Sequence, residues 1–310
     1  MRVLLISAPA LRNREDEVVA ELQLAGIDVV RGDMAALESA DVGDFDVIAG
    51  PGSMPATAAL FDRCPRLKGL VSLGIGCEGF DREAATARGI TISTGRTARS
   101  TGDMASATVA VMLALCHDLP GAMAAFEQGT RRDVSRAWTL DDATVGLIGY
   151  GAIGRDVARR LGAWGVRVLV YSRSLEEGTL PDGSESVSLI RLLRGSDIVS
   201  LHATLSRGDG PIIDKSALEV MKPGALLVNT ARGGLVDENA VAAALRSGRL
   251  GGAALDCFAV EPLPESSLLR QAPNVILTPH QIGHTRAGAD AMVRTFIDNI
   301  IRLASEEARS

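Results

Sequence analysis

The chain of 310 residues has four histidines, His117, His202, His280 and His284. At roughly one residue in eighty, a histidine in a telling place carries weight as a group that exchanges a proton near neutral pH. His280 has such a place, directly after Pro279 and the short apolar run Val275 to Leu277. Arg232 follows the apolar run Ala225 to Asn229, and Glu261 lies a few residues past Ala253 to Asp256. A guanidinium grips a carboxylate through a planar fork and keeps its proton. A carboxylate beside an imidazole stabilises the charged form of the ring. The bland alternatives are a loop cap for Arg232 and a solvated loop acid for Glu261. Arginine is common here, because only Lys68, Lys215 and Lys222 among the 32 basic residues are lysines, so a lone arginine counts for less than a histidine.

A second constellation is a glycine pattern in its proper setting. After the apolar run Thr144 to Ile148 comes Gly149-Tyr150-Gly151-Ala152-Ile153-Gly154, followed by a helical pattern through Val157, Ala158 and Leu161. Gly149 permits a tight turn, Gly151 lets a pyrophosphate approach the backbone, and Gly154 lets helix and strand pack closely. The backbone at Ala152 and Ile153 then faces the phosphates from the helix N-terminus. Dinucleotide binding is the expectation. The next strand, Arg167 to Tyr171, runs into Ser172-Arg173-Ser174 and not into the Asp or Glu that would hold a ribose 2′-hydroxyl. A guanidinium flanked by hydroxyls suits a 2′-phosphate, so NADP(H) is preferred over NAD(H), which stays possible.

Three stretches in order, the glycine motif, Val228-Asn229-Thr230-Ala231-Arg232-Gly233-Gly234-Leu235-Val236-Asp237, and Ala254-Leu255-Asp256 through Glu261-Pro262 to Leu277-Thr278-Pro279-His280, resemble the D-isomer-specific 2-hydroxyacid dehydrogenase family. The likeness covers almost the whole chain. It implies that Arg232 holds the substrate carboxylate and carbonyl, that His280 is the acid/base, and that Glu261 is its partner. It also implies that the backbone of Ile75 and Gly76 clamps the carboxylate and that Asp256 accepts the nicotinamide amide. Thr230, Ala231, Ala203 and Thr204 would line the ring and ribose, with Gly283 also on the cofactor side. The implied reaction is reduction of a small 2-oxo acid of the glyoxylate or hydroxypyruvate kind to a D-2-hydroxy acid, by a homodimer. Two other readings are a phosphite-type dehydrogenase of the same fold and a non-enzymatic dinucleotide-sensing regulator. Formate enzymes of this kind have Gln where Glu261 stands. The chain departs from the family pattern at Gly50-Pro51-Gly52-Ser53-Met54, at Cys77-Glu78-Gly79-Phe80-Asp81 and at Gln281-Ile282-Gly283-His284. Ser53 and Met54 are expected to border the substrate side chain.

These residues need elements to position them. Short apolar runs alternate with helical stretches from Arg2 to Ser93 and again from Thr144 to Leu277, the pattern of two parallel α/β domains. The resemblance refines this to a flavodoxin-like substrate domain, residues 1–100 plus 285–310, and a Rossmann dinucleotide-binding domain, residues 101–284, closing on each other over the substrate. Apolar helices are expected over about Thr101 to Leu115, as a core or a dimer seam, and over Arg286 to Glu306, returning to the first domain. A net charge of −6 offers no footprint for nucleic acid or an acidic membrane. No apolar run reaches the roughly 18 residues of a bilayer span. The N-terminus reads as a strand and not as a leader, and Cys64, Cys77, Cys116 and Cys257 have no metal or disulfide spacing, so a cytoplasmic protein with free thiols is expected.

Overall fold

A computed structural model describes residues 1–8, 11, 13–205 and 208–307. The chain separates into two compact units, Met1–Ser100 with Thr285–Ser310, and Thr101–His284.

In the first unit, β1 (Arg2–Ile6), β2 (Asp28–Gly32), β3 (Val47–Gly50), β4 (Gly69–Ser72) and β5 (Thr91–Thr94) alternate with α1 (Glu15–Leu24), α2 (Ala58–Arg63) and α3 (Arg82–Ala87). The strands form an all-parallel sheet of order β2-β1-β3-β4-β5, the flavodoxin-like arrangement. β3 and β4 are buried at every residue, as strands with helices on both faces must be. Each face has its own core, one built on Val3, Leu5, Val47 and Val71, the other on Leu4, Ile6, Ile48 and Leu70. The chain's last helix, called α10 below (Arg286–Glu307), seals the first core with Val293, Phe296, Ile297 and Ile300. Asn299 of this helix donates to the Thr94 carbonyl at 3.1 Å.

The second unit opens with α4 (Ala98–Cys116) and α5 (Leu119–Glu127). There follow β6 (Thr144–Ile148), α6 (Ala152–Gly162), β7 (Arg167–Tyr171), β8 (Gly178–Thr179), β9 (Glu185–Ser186), α7 (Leu189–Gly195) and β10 (Ile198–Leu201). The unit ends with α8 (Lys215–Val220), β11 (Ala225–Asn229), α9 (Glu238–Arg246), β12 (Leu250–Leu255) and β13 (Val275–Leu277). The sheet order is β13-β12-β11-β10-β6-β7-β9-β8. Six of these strands, β6, β7, β10, β11, β12 and β13, follow apolar runs of the sequence. The two extra ones, β8 and β9, have two residues each, too few to show a period, and they form the sheet's antiparallel pair. One face of α4 is core, where Ala105, Val109, Met112 and Leu115 pack against β6 and α6 residues. Among the described residues no single helix is long and apolar enough to cross a membrane; α4 and α5 pass that test together only as a pair bent by 58°. The exposed apolar helix is α5, with no buried residue and with Leu119, Met123 and Phe126 on its surface.

Candidate active site and dinucleotide loop

The strand order of the second sheet switches sides at β6, whose neighbours β7 and β10 both run parallel to it, and there the glycine loop leaves β6. Gly149 has φ +104°, and a Cβ on it would lie 2.5 Å from the His202 carbonyl carbon at the end of β10. A Cβ on Gly154 would lie 2.3 Å from the Gly149 oxygen, so this glycine lets α6 sit against the loop. Around Gly151 a Cβ would meet nothing within 4 Å, which leaves open the side from which a phosphate would approach. The three positions therefore fit a dinucleotide for three different reasons.

Neighbouring strand ends carry the other groups in spatial order. Ser172, Arg173 and Ser174 follow β7, Ala203 and Thr204 follow β10, Arg232 follows β11, Glu261 follows β12 and His280 follows β13. The last three strands are adjacent, so the residues that chemistry singled out emerge along one edge. His280 Nδ1 lies 2.9 Å from both Oε1 and Oε2 of Glu261. Glu261 is itself oriented by the Phe258 N–H, which donates to Oε1 at 2.9 Å. His280 has φ +57°, in the left-handed region that a non-glycine residue occupies only when its surroundings hold it there.

What holds it is Asp256, 1% exposed at the end of β12. Its Oδ1 accepts from Thr278 Oγ1 at 2.7 Å, Gln281 N at 2.9 Å and Ile282 N at 3.1 Å, clasping the His280 turn from both sides. Its Oδ2 is buried with no hydrogen-bond partner among the described residues. An unmet acceptor at this edge fits a nicotinamide amide donor, as the family likeness implies. Arg232 is fixed through its backbone. Asn229 Nδ2 donates to the Arg232 carbonyl at 2.9 Å, and Asn229 Oδ1 accepts from Ala231 N at 3.1 Å. The Arg232 guanidinium donates to the Ala231 carbonyl at 2.7 Å. A Cβ on Gly233 would lie 1.9 Å from the Phe258 carbonyl carbon, so only glycine lets the Arg232 loop touch the loop that leads to Glu261.

Sequence reasoning gave no role to Asn229, Thr278 or Glu238, whose Oε1 accepts from Ala259 N at 2.6 Å. Asn229 and Thr278 lay within the quoted motifs, whereas nothing local marks Glu238. Thr230 is turned inward, its hydroxyl 3.1 Å from that of Thr108 on α4. A Cβ on Gly283 would lie 2.6 Å from the Met104 methyl carbon, so this glycine makes room for α4. His202 is tied to Ser200, 3.0 Å from Nε2, and burial pushes its pKa down to about 4. Cys257, between Asp256 and the Glu261 loop, is pushed up to about 12 chiefly by burial and is no nucleophile. His117 and His284 are exposed, and His117 N continues α4 by donating to Leu113 O at 3.0 Å.

In the first unit, Ser53 is exposed and Ile75 and Gly76 are half-buried in loops after β3 and β4. Gly79 N donates to Gly52 O at 2.9 Å, and Ser72 Oγ donates to Gly76 O at 2.7 Å, joining these loops. Met54, expected to border the substrate, is instead fully buried in the core with Leu4, Ile6 and Phe61. Among the described residues no cluster could hold a metal ion.

Glycine loop, strand-end arginine and paired Glu–His together define a dinucleotide-binding unit of Rossmann type with acid–base groups on its carboxyl edge. The profile of the D-isomer specific 2-hydroxyacid dehydrogenase NAD binding domain matches residues 109–281, and the chain belongs to that family. It is 35% identical over 267 residues to a D-3-phosphoglycerate dehydrogenase of Mycobacterium tuberculosis, a match covering 86% of this chain but 50% of that one. The chain thus spans about half the length of the phosphoglycerate dehydrogenases it matches. A glyoxylate reductase of Thermococcus litoralis is 33% identical over 259 residues, covering 80% of this chain and 77% of that one. Among solved structures, the NADPH-dependent glyoxylate/hydroxypyruvate reductase of Sinorhizobium meliloti, crystallised with citrate, superimposes with a TM-score of 0.80 at 30% identity, covering 96% of this chain and 92% of that one.

Proposed function

We propose that the protein reduces a small 2-oxo acid of the glyoxylate or hydroxypyruvate kind to the D-2-hydroxy acid. The observation that carries this reading is the bond of His280 Nδ1 to both oxygens of Glu261. With Nδ1 committed to the carboxylate, Nε2 is the ring atom that delivers a proton to the substrate carbonyl oxygen. Glu261 stabilises the imidazolium before transfer and fixes the ring plane. Arg232 orients the 2-oxo acid through its carboxylate and polarises the carbonyl, and the fixed Asn229 and Gly233 contacts hold it in place. Ile75 and Gly76 are proposed carboxylate-binding residues through their backbone, and Ser53 a proposed substrate-binding one. A bound nicotinamide dinucleotide supplies the hydride that the carbonyl carbon gains. Gly149, Gly151, Ala152, Ile153 and Gly154 would hold its pyrophosphate, Ala203, Thr204 and the Thr230–Ala231 backbone its ribose and ring, and Asp256 its amide.

NADPH is the proposed reductant. The Ser172 and Ser174 hydroxyls lie 3.2 Å apart, flanking Arg173 where a ribose-binding acid is missing. The exposed apolar face of α5 supports a homodimer, and four buried free thiols support a reducing, cytoplasmic setting. The test is turnover of glyoxylate, hydroxypyruvate and larger 2-oxo acids with NADPH and NADH, with phosphite plus NADP as the reverse arm. Consumption of NADPH with a small 2-oxo acid, lost in His280→Gln, is expected. Tight dinucleotide binding without turnover on any substrate would refute the enzymatic reading.

A further inference from the structure

The residue between the first two motif glycines is Tyr150, and it is tied to two other elements. Its hydroxyl donates to Asp182 Oδ2 at 2.5 Å, in the turn joining β8 and β9. Asp182 is anchored in turn, accepting from Ser184 Oγ at 2.5 Å and Ser184 N at 3.1 Å. Burial raises the Asp182 carboxyl, but its bonds from Ser184 and Tyr150 outweigh that and hold it below the usual carboxylate range. On the ring's face lies Arg155 of α6, its guanidinium carbon 5.3 Å from the ring centre, while its Nε donates to the Tyr150 carbonyl at 3.2 Å. Stacking and the Nε bond consume one donor and fix the guanidinium plane. Neither terminal nitrogen meets a carboxylate among the described residues.

The place of this guanidinium is set by backbone. Gly149 N donates to Tyr171 O at 2.8 Å, which puts Tyr150 beside the end of β7 and hence beside Ser172. Arg155, stacked on Tyr150, therefore belongs to the corner between the glycine loop, the end of β7 and the β8–β9 hairpin. In a dinucleotide laid on the glycine loop, this corner faces the adenosine ribose. Arg173, the cation that the sequence offers for a 2′-phosphate, is 69% exposed, with its Nη2 3.7 Å from Asp209, a screened surface pair that does little to fix the guanidinium.

We propose that Arg155 is the specificity-determining cation for a dinucleotide carrying a 2′-phosphate, with Tyr150 and Asp182 as positioning residues. This rests on the dinucleotide reading above. A preorganised guanidinium with both terminal nitrogens available loses little freedom on meeting a phosphate, whereas the exposed Arg173 side chain must first be ordered. Tyr150 then has a role that the glycine pattern alone does not require.

The experiment is fluorescence titration of the full chain with NADPH and with NADH, for wild type, Arg155→Ala, Arg173→Ala, Tyr150→Phe and Tyr150→Ala, with circular dichroism to verify folding. Arg155→Ala should weaken NADPH about 10- to 100-fold, the range for a lost charge-assisted bond, and leave NADH within about twofold. Tyr150→Phe keeps the stack but frees the hairpin, and should give a smaller loss, again confined to NADPH. Tyr150→Ala should approach Arg155→Ala. Equal losses for both dinucleotides, or an NADPH loss in Arg173→Ala alone, would overturn the proposal. Wild type binding NADH but not NADPH would overturn it while sparing the dinucleotide reading; wild type binding neither would overturn both.

Discussion

Replacing Asp256 by alanine removes one carboxylate oxygen that takes three hydrogen bonds from the turn carrying His280. Each bond to a charged acceptor contributes about 1.5–3 kcal/mol, and because the three share one atom they do not add fully. A loss of about 3–5 kcal/mol is expected, concentrated in residues 278–282 and not spread over the sheet. Asp256→Asn keeps a carbonyl oxygen in the Oδ1 place and puts an amide nitrogen where Oδ2 now lies buried and unpaired. It should cost only about 1–2 kcal/mol, because the three donors keep an acceptor that has lost its charge. The assay is hydrogen exchange at the Gln281 and Ile282 amides, read beside dinucleotide affinity. Alanine should lower protection at both amides by about two to three orders of magnitude, as a local loss of about 3–5 kcal/mol requires. Asparagine should keep most of that protection while weakening the dinucleotide, since a buried acceptor has become a donor. Unchanged protection in Asp256→Ala would refute the idea that this carboxylate holds the His280 turn.

Three further outcomes are expected of the same molecule. Glu261→Gln keeps an acceptor for the Phe258 amide but removes the charge facing His280, and kcat/KM should fall about 10- to 100-fold with the fold intact by circular dichroism. His202 is held neutral down to about pH 4 against 6.5 for a free histidine, so the unfolded chain takes up a proton first and stability falls as pH drops from about 6.5 toward 4. That window carries about 3 kcal/mol at most, and 1–2 kcal/mol is the working figure for a partly accessible residue; urea unfolding of His202→Asn should lose this part of the acid sensitivity. Gly233→Ala would drive a methyl into the Phe258 backbone, and melting should show a loss of about 3 kcal/mol or more together with lost turnover.

Much of the site was legible because its signals are local. A glycine pattern between a strand and a helix, and an arginine, a glutamate and a histidine each just past an apolar run, can be read along the chain without knowing the fold. The cores were legible for a similar reason, since runs such as Val47 to Gly50 are apolar enough to be buried on both faces. Met54 misled because a methionine in a loop of small and polar residues looks exposed, and only the stacking of the loops after β3 and β4 turns it into the core. The β8–β9 hairpin escaped notice because four residues carry no period, although its turn supplies the partner of Tyr150.

By itself, the sequence determined which residues have the chemistry to bind a phosphate, grip a carboxylate and move a proton, because those capacities belong to the side chains. The tertiary structure alone decided that β11, β12 and β13 lie side by side, so that Arg232, Glu261 and His280 emerge along one edge although up to 48 residues of chain separate them. It also decided that Asp256 serves the turn of His280. Periodicity reports which face of an element is buried, whereas strand order is set by the packing of every helix against every strand, and no segment of the chain contains that information alone.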